Sequence, residues 1–131
     1  MFGHVNNALY YGFVDDAINR HLIANGVGIE HTRFVAASAC TYSVPVSYPD
    51  DLDIGLRVTK IGASSATYEV GIFRAPIVDE PAAAADEAAA ATVSWVHVYV
   101  DKTSGRPTPI NAHVRAVLET LVAERAPTAA L

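Results

Sequence analysis

Cysteine, tryptophan and methionine occur once each in the 131 residues, basic residues are few, and long apolar runs are missing. The lone Cys40 has no partner for an internal disulfide, which fits a reducing compartment. Nine Lys and Arg against fourteen Asp and Glu leave a net charge of −5, with no Lys/Arg cluster anywhere. A nucleic-acid-binding surface needs a basic stripe, so that class is set aside. No stretch approaches the ~20 apolar residues of a membrane span, and no signal-peptide pattern opens the sequence. A cytoplasmic protein with no membrane or nucleic-acid partner is therefore expected. The chain is 51% apolar and 18% charged, enough to fill the core of a single domain over residues 1–131.

A helical period runs from Ala8 to Ala24. Leu9, Tyr10, Phe13, Val14, Ala17, Ile18 and Leu22 make a broad apolar face, while Asp15, Asp16, Asn19 and Arg20 gather on the other stripe. Asn6 or Asn7 supplies an N-cap and Asn25-Gly26 a left-handed stop. So wide an apolar face predicts that other elements wrap most of the helix.

The period then changes to two. Thr32–Val46 reads as a strand, Tyr48-Pro49-Asp50-Asp51 as a turn, and Ile54/Leu56/Val58 and Tyr68/Val70/Ile72 as the inward faces of a hairpin. The alanine-rich stretch Pro81–Ala91 is expected to be a mobile loop. In the strand Thr92–Val100, Val96, Val98 and Val100 are assigned to the core face. Val93, Trp95, His97 and Tyr99 go to an outer contact face, where His97 reads as an interface residue sooner than a ligand. Asp101–Gly105 makes a turn, and Asn111 caps a short helix with Val114, Val117, Leu118, Leu121 and Val122 on one face. The pattern is α+β, with an antiparallel sheet curled around one long helix.

Gly3-His4-Val5-Asn6-Asn7-Ala8 running into an aromatic helix resembles the hotdog-fold acyl-CoA thioesterases of the 4-hydroxybenzoyl-CoA thioesterase-like group. Trp95–Asp101 at the end of the last strand and the Gly105–Ile110 link extend the likeness over nearly the whole chain. The resemblance implies hydrolysis of acyl-CoA or acyl-carrier thioesters with no cofactor beyond the coenzyme A of the substrate. It also implies a homodimer with joined sheets, or a dimer of dimers. In such proteins a catalytic Asp precedes the glycine by a few residues, at a position that would fall immediately before Met1. Since the sequence opens inside the motif, we expect the family's first strand to precede it. The alternative is a degenerate member that binds acyl-CoA or an acyl carrier without turnover.

The candidate site follows from the free N–H groups of a helix start, which carry about half a positive charge and favour an oxyanion. The backbone N–H of Asn7 or Ala8 would polarise the thioester carbonyl, with Gly3, Val5 and Asn6 shaping the loop. His4 is a candidate general base or a loop brace; Asp15 is a candidate catalytic carboxylate or part of the polar stripe. Tyr10 and Tyr11 line an acyl pocket or pack in the core, and Asn6 and Asn7 serve as caps. Arg57, Lys60 and Arg74 are cations for the phosphates of coenzyme A or ordinary solvated charges. His21, His31, His113 and Cys40 show no metal-ligand spacing, so no metal is expected. A dehydratase would want an Asp and a His paired across the pocket, and no such pair is visible in the sequence.

Overall fold

The computed structural model describes residues 7–42, 52–74 and 91–122. Helix α1 (Asn7–Ala24) is followed by strands β1 (Arg33–Tyr42), β2 (Leu52–Ile61), β3 (Ser65–Arg74) and β4 (Ala91–Tyr99), and by helix α2 (Ala112–Glu119). The four strands form one antiparallel sheet in the order β1-β4-β3-β2. The turn at Tyr48–Asp51 and the loop Pro81–Ala90 fall outside the described residues, whereas Ala91 already belongs to β4.

Helix α1 turns Val14, Ile18 and Leu22 into the core, each fully buried, at a spacing that repeats once per turn. Burial of each such side chain contributes roughly 1.5–3 kcal/mol. Tyr11, Phe13 and Ala17 are half-buried, while Asp15, Asp16 and Ile23 remain exposed. In the single chain the fully buried stripe is thus narrower than the apolar face of the sequence. The helix ends where Gly26 adopts φ +84°, Gly26 N–H donating to Ile23 O and Val27 N–H to Leu22 O. The buried Val27 closes this motif with an apolar contact. On the exposed side Arg20 pairs with Asp16 at 2.8 Å.

Strand β4 overturns the face assignment made from the sequence. Val93, Trp95, His97 and Tyr99 are the buried set, and Val96, Val98 and Val100 are half-buried on the other face. Both faces are apolar, so alternation alone cannot orient the strand. Volume and ring packing decide it: Tyr11 of α1 lies on Trp95 with ring centroids 6.1 Å apart.

Helix α2 covers the other part of the core with Val114, Val117 and Leu118. The side chain of Asn111 accepts from the N–H groups of His113 and Val114, as expected of a cap. After α2 the chain meets the β2 edge, where Val58 N–H donates to Leu121 O at 2.8 Å and Val58 bridges to Val122. At the opposite edge, β1 leaves residues 34–39 exposed.

Candidate active site

A cleft of about 380 Å³ opens between α1, β1 and β4. Its rim is apolar: Ile23, Ile29, Phe34 and Val35 are all substantially exposed. Its polar lining comes from Asp15 and Asn19 on α1, His31 and Thr32 just before β1, Arg33 on β1 and His97 on β4. Register explains how residues so distant in sequence meet. Arg33 pairs with Tyr99 and Val35 with His97 across the β1–β4 ladder, and the α1 stripe Asp15–Asn19 passes alongside.

Arg33 extends into this lining with its guanidinium on neutral oxygens, Nη1 donating to His31 O at 3.0 Å and Nη2 to Asn19 Oδ1 at 2.9 Å. No carboxylate among the described residues forms an ion pair with it. His97 is only 3% exposed. Its Nε2 accepts a hydrogen bond from Trp95 Nε1 at 3.2 Å, which leaves the ring proton of the neutral imidazole on Nδ1. That Nδ1 is buried and makes no hydrogen bond. Burial, and secondarily the nearby Arg33 charge, push the His97 pKa down to about 4, so the ring is neutral at physiological pH. Tyr68 stands edge-on to His97, with centroids 5.6 Å apart, and its hydroxyl and that of Tyr99 are likewise buried without partners. Burial raises both tyrosine pKa values, that of Tyr68 further through Tyr99.

Of the residues singled out in the sequence, Asp15 lines this cleft. Tyr11 is half-buried against Trp95. Asn7 is the first residue of α1, but its side chain and that of Tyr10 lie outside the described residues, as do Gly3, His4, Val5 and Asn6 altogether. Arg57 is engaged by Glu69, whose Oε1 accepts from Nε at 2.8 Å. Lys60 borders a separate groove with Glu119 and Val122. Among the described residues no group of three or more His, Cys, Asp or Glu could hold a metal ion, and no helix is long and apolar enough to cross a membrane.

Arg33, Asn19 and His97 were missed as site residues. The available signal was the Trp95-x-His97-x-Tyr99 alternation, since three rings that each carry a polar atom are unusual on one dry face. Asp15 and His97, a pair that the sequence does not suggest, share one cleft.

The family model of the thioesterase-like superfamily matches residues 1–118. The chain belongs to the thioesterase-like superfamily. A protein of known structure from Pseudomonas aeruginosa strain PAO1 is 36% identical, with 95% of this chain and 83% of that chain covered and a TM-score of 0.81. A thioesterase from Thermus thermophilus, solved in complex with coenzyme A and zinc, is 25% identical over 91% of this chain and 82% of that one, at a TM-score of 0.72. A putative thioesterase from Pseudomonas aeruginosa is also 25% identical, covering 88% and 85%, at a TM-score of 0.73. No curated protein is significantly similar in sequence. These likenesses agree with the α+β architecture of an antiparallel sheet and two helices, and they bring thioester hydrolysis to the chain at the level of the superfamily.

Proposed function

We propose that the protein hydrolyses acyl-CoA thioesters to the free acid and coenzyme A. The observation that carries the reading is a helix that begins at Asn7 and delivers Asp15 into an apolar-rimmed cleft. At the helix start the N–H groups of Asn7 and Ala8 lack intrahelical acceptors and would hold the carbonyl oxygen as it gains charge. Water adds to the carbonyl carbon as a base removes its proton. The tetrahedral intermediate then collapses, the C–S bond breaks, and the coenzyme A thiolate leaves.

Geometry limits which base can act. Asp15 stands eight residues beyond Asn7, which at 1.5 Å per residue is ~12 Å along the axis. That exceeds hydrogen-bond reach of a carbonyl on the same helix start. Within the given residues the candidates for the base are then His4, adjacent in sequence to that start, and Asp15 of a second copy. Among the described residues β1 is an unpaired edge, which supports a homodimer, because pairing two such edges would satisfy their backbone groups and bring the clefts together. Gly3, Val5 and Asn6 keep their proposed role of shaping the substrate loop, and Tyr10 that of lining the acyl pocket.

A second reading, binding of acyl-CoA or an acyl carrier without turnover, is favoured by the distance of Asp15 from the helix start, since that carboxylate does not reach a carbonyl held there. Release of free thiol from a panel of aliphatic and aromatic acyl-CoAs separates the two. Turnover well above the buffer blank is expected, whereas saturable binding with no thiol release would establish the second reading. Hydration of crotonyl-CoA, measured in parallel, would instead point to a dehydratase built on Asp15 and His97.

A further inference from the structure

The β side of the cleft holds two groups that the single chain leaves unsatisfied. One is the Nδ1 of His97, buried, fixed in its protonated tautomer by the Trp95 hydrogen bond, and without an acceptor. The other is the guanidinium of Arg33, half-buried and held only by neutral oxygens. A buried donor without a partner is costly, and a half-buried guanidinium without a counter-charge keeps donors for an anion. Both residues line one cavity, Arg33 half-buried and His97 all but closed off, so a ligand must part the wall slightly to meet Nδ1. A ligand oxygen that accepts from His97 and carries negative charge toward Arg33 would answer both at once. The rim of Ile23, Phe34 and Val35 is apolar, which suits a hydrocarbon segment leading to that oxygen. Asp15 on the α1 wall opposes an anion there, so the anion belongs on the β wall.

We infer that His97 and Arg33 seat a carboxylate carried at the far end of the substrate's acyl group, so that the preferred substrates are dicarboxylyl thioesters. The inference rests on the thioesterase reading for its substrate, and on the unpartnered groups of the β wall for its chemistry. Neutrality of His97 matters to it: an imidazole that stays uncharged through the physiological range donates from Nδ1 without competing for protons. His97 and Arg33 are specificity-determining here and take no part in cleaving the C–S bond.

The test uses non-hydrolysable thioether analogues of coenzyme A, bearing monocarboxylyl or α,ω-dicarboxylyl chains of graded length. Binding is followed by the fluorescence of Trp95, the only tryptophan, whose indole N–H bonds to His97. At the best-fitting length the wild-type protein should bind the dicarboxylyl analogue about tenfold or more tightly than its monocarboxylyl counterpart, the worth of a charge-assisted hydrogen bond. His97→Phe and Arg33→Met should each reduce that ratio toward one. Equal binding of the two series by the wild type at every length overturns the inference, whether or not either variant folds. A preference that survives both substitutions overturns it as well. If Arg33→Met weakens coenzyme A alone as much as every analogue, Arg33 serves a coenzyme A phosphate, and the assignment to the acyl end is wrong. A binding preference without turnover of any acyl-CoA leaves this inference standing and removes the proposed hydrolysis instead.

Discussion

The two helices press on one sheet and leave its polar groups in opposite states. Around α2 each described polar contact closes: Asn111 caps the helix, Arg115 Nη2 donates to Gly62 O at 2.7 Å, and Val58 N–H reaches Leu121 O. Even the exposed His113 meets a backbone oxygen, that of Asn25, at 2.9 Å. Beside α1 the sheet presents the buried Nδ1 of His97 and the hydroxyls of Tyr68 and Tyr99 without partners, together with an Arg33 that no described carboxylate pairs. Proteins tolerate such expense chiefly where a ligand relieves it. The α2 side therefore reads as the part that holds the fold and the α1–β1 side as the part that meets substrate.

That division breaks most readily by truncating the α2 side. Leu118→Ala removes a fully buried side chain from a closed region, and we expect a loss of about 2–5 kcal/mol in denaturant unfolding. A loss below ~1 kcal/mol would mean that α2 is not the stabilising half.

The α1 side should show itself next, in the pH dependence of stability. His97 takes up its proton near pH 4 in the folded chain and near its ordinary 6.5 when unfolded. Between those values the unfolded chain binds more protons, so stability is full above pH 6.5 and falls as pH drops toward 4, by on the order of 3 kcal/mol. Unfolding curves collected across that window should show the decline, and His97→Gln should flatten it. Asp101, whose carboxylate accepts from the N–H groups of Ser104 and Thr103 and is held below its ordinary pKa, acts only at lower pH. A wild-type profile that stays flat from pH 7 to 4.5 would contradict the buried, neutral state of His97.

The smallest expected effect sharpens the α2 side. Asn111→Ala removes the cap acceptor for His113 and Val114 and should cost about 1 kcal/mol, read as a lower melting temperature, while Asn111→Gly should cost only a few tenths.

Much of the framework was legible in the sequence. The Asn111 cap, the Gly26 stop and the buried faces of Tyr68/Val70/Ile72 and Val114/Val117/Leu118 follow from local pattern and turn chemistry, which act over a few residues. The functional half was less so. Arg33 and His97 meet only through the β1–β4 register, and no local pattern encodes a register between distant strands. The Val93–Val100 stretch offers apolar side chains on both faces, so the orientation of β4 waits on what α1 packs against it. Asp15, read as a candidate carboxylate or as part of the polar stripe of α1, does reach the cleft.

The central claim, that the N–H groups opening α1 hold the carbonyl oxygen of a thioester, is tested most directly by removing those hydrogens without removing the helix. Proline is tolerated in the first turn because its missing N–H has no intrahelical acceptor there. Asn7→Pro and Ala8→Pro are therefore to be compared with Asn7→Ala for kcat/KM on the best acyl-CoA, helix content being checked by circular dichroism. The account predicts that at least one proline variant loses about 10²–10³-fold while Asn7→Ala stays near the wild type. Undiminished turnover in both proline variants would contradict it.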